Sequence, residues 1–128
     1  MTLNEIDTPA LIIDRAKLEH NIQKMAQIAR EGGVTLRPHT KTHKCPQIAR
    51  MQVEAGASGL TCAKLGEAEV YVDSGFTDIF VANIIVGEIK INRLLNLLKK
   101  ARIVVGVDSL ASATPLSDAA VAAGQNIP

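Results

Sequence analysis

Short β-branched runs starting near residues 34, 59, 78 and 102 alternate with helical patterns at intervals of roughly 20 to 25 residues, and this alternation constrains the fold more than any other feature. Strand, helix, strand in that order is the sequence sign of βαβ units, whose strands lie parallel under covering helices. The first helix is the clearest. Asp14 is placed as its N-cap, Leu18, Ile22, Met25 and Ala29 recur at helical spacing, and Gly32-Gly33 stops it. Pro46 suits the first residue of a second helix carrying Ile48, Met51 and Ala55, and Gly59 to Ala63 reads as a strand. The spacing then predicts a helix over 67–74 with Gly75 at its C′ position, a strand over 78–82, and a helix over 88–100 with Ile91, Leu94, Leu95 and Leu98 inward. A strand over 103–107 and an Ala-rich helix over 110–123, capped by Ser109, complete the order; Pro115 must begin that helix proper or kink it. Four such units make about half of an eight-stranded (β/α) barrel, which typically needs about 250 residues. The expected fold is therefore α/β, a partial barrel comprising about its first half.

Length and composition fit one globular domain over residues 1–128, with 47% hydrophobic and 21% charged residues. A net charge of +1 and only three aromatic residues, Tyr71, Phe76 and Phe80, exclude a nucleic-acid binder with a basic stripe or stacking platform. Cys45 and Cys62 lack metal-type spacing, and neither a signal peptide nor an apolar run of about 18 residues is present, so free thiols, a cytoplasmic location and no membrane span are expected.

Against this even background, Arg37-Pro38-His39-Thr40-Lys41-Thr42-His43-Lys44 holds two of the three histidines and three of the fourteen Lys and Arg residues. Gly33 to Leu36 reads as the opening of a strand, which would put Lys41 at its carboxyl end. Period-2 alternation places Thr35, Arg37, His39 and Lys41 on one face and Leu36, Pro38 and Thr40 on the other. A His pair four apart on such a segment does not share a face as it would on a helix, so no metal site is assigned here.

This run, together with Thr8-Pro9-Ala10-Leu11-Ile12-Ile13-Asp14, Gly66-Glu67-Ala68-Glu69, Val81-Ala82-Asn83, Ile85-Val86-Gly87 and Val107-Asp108-Ser109, resembles the N-terminal part of the D-threonine aldolase and D-serine dehydratase family. These are pyridoxal-phosphate enzymes of the alanine-racemase fold type. The resemblance covers essentially the whole chain but about the first third of a usual member, so it implies an incomplete cofactor-binding barrel domain without the remaining strands and the C-terminal β domain. It also implies that Lys41 forms the Schiff base with pyridoxal 5'-phosphate, that Arg37, His39 and His43 lie around the cofactor, and that the whole protein is a homodimer. A divalent metal, manganese or zinc, is expected in complete members to polarise the substrate hydroxyl, with ligands outside these residues.

The residues themselves agree with the resemblance. A Schiff base needs an amine that gives up its proton, and neighbouring cations such as Arg37 and Lys44 favour the uncharged form. The expected substrate is a small D-β-hydroxy-amino acid. Cleaving its Cα–Cβ bond gives glycine and an aldehyde, as in D-threonine aldolase; removing the Cα proton and the β-hydroxyl of D-serine leads to pyruvate and ammonia. The aldolase reading comes first, the dehydratase second, and a catalytically inactive truncated fragment is the alternative of another class. For Arg37, a structural ion pair and an active-site charge stand equal. Cys62 and Lys64 fall at the end of the second strand, Glu67 and Glu69 favour the first turn of a helix, Asn83 ends the third strand, and His20 has no assigned role.

Overall fold

The computed structural model describes residues 2–128. After a 3-10 turn at Leu3–Glu5 come α1 (Arg15–Glu31), α2 (Pro46–Glu54), β1 (Leu60–Cys62), α3 (Leu65–Asp73), β2 (Asp78–Val81), α4 (Glu88–Leu98), β3 (Arg102–Val105) and α5 (Leu110–Ala123). The strands form one parallel sheet in the order β1-β2-β3, with Leu60 beside Ile79 and Ile79 beside Ile103. This is the α/β arrangement expected of a partial barrel.

Local chemistry sets the boundaries. Asp14 caps α1 by accepting the Lys17 N–H at 3.1 Å, and Pro46 opens α2 at a position where no N–H is needed. Gly75 lies at φ 87 just after α3, a left-handed turn that lets Phe76 N–H reach back to Tyr71 O at 3.0 Å. Pro115 neither starts α5 nor ends it, since the helix runs through it from Leu110.

Alternation along the strands divides the sheet into two faces. Leu60, Cys62, Ile79, Val81 and Ile103 are buried against Leu65, Ala68 and Tyr71 of α3 and Ile91, Leu94 and Leu97 of α4, forming the core. On α1, Ile22, Ala26 and Ala29 are buried, whereas Met25, expected inward, is half exposed. The opposite face of the sheet, with Phe80 and Val104, is only partly covered.

The strand expected from residue 34 is reduced to one bridge, His39 beside Thr61. Its two hydrogen bonds run from Thr40 N–H to Thr61 O and from Thr61 N–H to Pro38 O, each at 2.8 Å. The next rung toward the N-terminus would need an N–H from residue 38, which proline lacks. Ser58 N–H bonds Leu36 O instead, at 2.9 Å, so the segment follows β1 without a continuous ladder.

Candidate functional site

Lys41 lies two residues beyond the bridged His39, in a turn rather than on a strand end. Thr40 anchors that turn: it is fully buried, its hydroxyl donates to Thr61 O at 3.1 Å and lies 3.6 Å from Cys62 Sγ. Lys44 N–H closes the turn on Thr40 O at 2.9 Å, with Lys44 at φ 46, a left-handed conformation that a non-glycine residue seldom adopts. Between these ends Lys41 is exposed; its N–H donates to His39 Nδ1 at 3.2 Å. Its amine makes no ion pair or hydrogen bond among the described residues. Because Nδ1 of His39 accepts, the proton of the neutral ring sits on Nε2.

His43 follows the same pattern, its Nδ1 accepting from Cys45 N–H at 3.1 Å. Burial lowers its pKa from the ordinary histidine value against the opposing influence of Gln52 and Cys45. Its Nε2 and Gln52 Oε1 are both buried without a completed hydrogen bond. His39 and His43 border one apolar cavity of about 490 Å³ between α1, α2 and residues 36–43, walled by Leu18, Ile22 and Met25. Arg37 and Lys41 lie outside its lining.

Arg37 points to the other end of the strands. Its guanidinium bonds the carboxylate of Asp78, the first residue of β2, at 2.9 Å, and Asp78 also takes Arg102, the first residue of β3, at 3.1 Å. Of the two roles open to Arg37, the structure displays the ion pair. Lys44 is likewise matched, its Nζ lying 3.4 Å from Glu67 Oε1. Both cations that the sequence sets beside Lys41 are thus paired with carboxylates instead of presenting bare charge to it. Glu67 came beside Lys44, and Asp78 beside Arg37 at the far end of the strands, only through folding. An acidic residue at a strand start was the available signal for Asp78, since strands disfavour it, whereas nothing local ties Glu67 to a lysine 23 residues earlier.

Burial, opposed by the contact with Thr40 and aided by the nearby Glu67 charge, pushes the Cys62 thiol up to about 11, away from the thiolate a nucleophile needs. Among the described residues no three His, Cys, Asp or Glu side chains are grouped to hold a metal ion. No helix among them is long and apolar enough to cross a membrane. What the arrangement does offer is a primary amine, exposed and without a carboxylate partner, on a turn fixed at both ends. That donor fits a cofactor held through an aldehyde carbon.

The parallel sheet, its covering helices and a lysine just past the first paired segment define a portion of a (β/α) barrel of the alanine-racemase type. Residues 13–128 match the family model described as alanine racemase, N-terminal domain, and the chain belongs to that family. It is 42% identical to a D-threonine aldolase from Arthrobacter sp. over 98% of this chain and 33% of that protein. A crystal structure of D-threonine aldolase from Filomicrobium marinum superposes with a TM-score of 0.94 at 46% identity, covering 98% of this chain and 34% of the other. The D-threo-3-hydroxyaspartate dehydratase from Delftia sp. HT23 superposes with a TM-score of 0.92 at 35% identity, over 98% and 33% of the two chains. The chain spans about a third of the length of the relatives it matches.

Proposed function

We propose that this chain supplies the cofactor-holding lysine of a pyridoxal-phosphate lyase that acts on D-β-hydroxy-amino acids, with D-threonine aldolase-like cleavage as the first reading. The observation that carries it is the unpaired Lys41 amine on its closed turn, in a chain so similar to a D-threonine aldolase along its whole length. Bound at Lys41, pyridoxal phosphate supplies an electron-withdrawing ring that weakens bonds at the substrate Cα. His39 holds the Lys41 backbone through Nδ1 and keeps an Nε2–H donor for an acceptor on cofactor or substrate. His43 supports the far side of the turn through Cys45, and Arg37 acts through Asp78 as a structural tie.

The likeness to a dehydratase favours a second reading, in which Lys41 Nζ, freed once the substrate amine replaces it on the cofactor, would take the proton from Cα while the β-hydroxyl takes up a proton and leaves as water. A divalent metal that neutralises charge on the substrate hydroxyl, a homodimeric whole protein and a cytoplasmic location belong to the same proposal.

Incubation with pyridoxal phosphate followed by borohydride reduction and peptide mass spectrometry tests the lysine assignment. Lys41 should carry the label ahead of surface lysines such as Lys24 and Lys99, and Lys41→Ala should lose the visible absorbance of the bound cofactor. Labelling spread evenly over the lysines would overturn it. Glycine released from D-threonine, against pyruvate released from D-serine, with and without added manganese or zinc, separates the two lyase readings.

A further inference from the structure

Glu67 has an environment that helix capping alone does not explain. Its side chain is 10% exposed, one carboxylate oxygen accepts the Ala63 N–H at 2.8 Å just beyond β1, and the other faces Lys44 Nζ at 3.4 Å. Burial alone would raise its pKa, but the Ala63 N–H and the charge of Lys44 outweigh that and hold it below the ordinary glutamate value. The carboxylate therefore stays charged and ties together three pieces of chain: the end of β1, the first turn of α3, and the left-handed residue that closes the Lys41 turn. Lys44 itself stands at φ 46, a backbone conformation that non-glycine residues seldom adopt, and its side chain is the one that meets Glu67.

We propose that Glu67 is a positioning residue for Lys41, acting through Lys44 to keep the Thr40–Lys44 turn closed and the Lys41 amine presented. The inference rests on the reading of Lys41 as the cofactor-holding lysine, and it makes two demands. Loss of either partner must loosen the turn, and both losses must act on Lys41 in the same direction.

The second demand distinguishes positioning from a simple effect of charge. If Glu67 served only to mask the positive charge of Lys44, Glu67→Gln would expose that charge and raise capture of cofactor at Lys41, while Lys44→Met would remove it and lower capture. Positioning predicts that both variants lower it. Glu67→Gln keeps an acceptor for the Ala63 N–H, so the start of α3 is retained, and amide exchange in α1 and β3 reports whether the fold is intact.

The experiment measures, on wild type, Glu67→Gln, Lys44→Met and the double variant of this chain, borohydride-trapped pyridoxal phosphate at Lys41, amide hydrogen exchange at Lys44, and trace acetylation of Lys41 relative to Lys24 and Lys99. The expected result is a fall in trapping of about three- to fivefold in each single variant, the size of a severed, partly screened ion pair, with the double variant no worse than either. Exchange at the Lys44 amide should quicken in both. Opposite effects on trapping, or unchanged Lys44 exchange, would overturn the proposal. Failure of the wild type to trap cofactor at Lys41 would instead sink the cofactor reading. In that event Lys44 exchange and Lys41 acetylation, which need no cofactor, still decide whether Glu67 positions the turn.

Discussion

Gly59 is glycine because the Arg37 guanidinium and the Asp78 carbonyl occupy the space that a side chain would need. A Cβ there would lie 2.6 Å from Asp78 O and closer still to Arg37. Gly59→Ala must push backbone apart or displace the arginine from Asp78, so it should destabilise the chain by about 1–3 kcal/mol, read as a lower urea midpoint. At this scale the sequence was legible where residue type carries the chemistry. A lysine amid histidines and arginine stands out in the sequence, while its placement in an exposed turn beside His39, not on a strand end, came with the fold. It was not legible for Arg37, because a guanidinium meets carboxylates and cofactors through the same donors, and only folding brought Asp78, 41 residues away, to its side.

Asp78 ties elements together. Its carboxylate joins Arg37 on the segment along β1 with Arg102 at the start of β3, so three neighbouring stretches of chain share one charge. The Arg37 hydrogen bond and charge, reinforced by Arg102 and opposed by burial, hold its pKa below the ordinary aspartate value of about 3.9. A carboxylate with a depressed folded pKa contributes stability that is complete above its unfolded pKa and is lost as pH falls through the folded one. Asp78→Asn should therefore lower the urea midpoint at pH 7, and its deficit against wild type should shrink as the pH drops below about 4. A deficit that stayed constant with pH would mean the carboxylate contributes shape and not charge. Helices and strands were well anticipated at this scale, with ends shifted by at most two residues. The exception is the first strand, where the pattern of Val34, Thr35 and Leu36 suggested pairing while Pro38 withholds the N–H that the ladder needs.

Across the whole molecule, the helix-facing side of the sheet is closed and the other side is open. Val105 N–H reaches Pro128 O at 3.3 Å, so the last residues run along the outer edge of β3, while the outer edge of residues 34–40 has no neighbouring strand among the described residues. Leu11 is 95% exposed, with Ile12 and Ile13 also exposed beside it. An uncovered edge and an apolar run of this kind promote self-association. Light scattering of this chain should show an average mass that rises with concentration, and Leu11→Lys with Ile12→Lys should reduce the rise. A concentration-independent monomer would show that these surfaces do not drive contact.

The sequence by itself determined the order of elements, the parallel sheet and the dense run of ionisable groups around Lys41, because hydrophobic period, turn residues and residue type are local properties. The tertiary structure alone decided which polar groups meet: Asp78 with both Arg37 and Arg102, Lys44 with Glu67, Thr40 beside Cys62. Those pairings join residues 22 to 41 positions apart, and their partners are chosen by the register of parallel strands and the packing of α3 on β1. The missing rung at Pro38 and the left-handed Lys44 follow the same logic, since each sets the path of the Lys41 turn only once β1 and Glu67 are in place beside it.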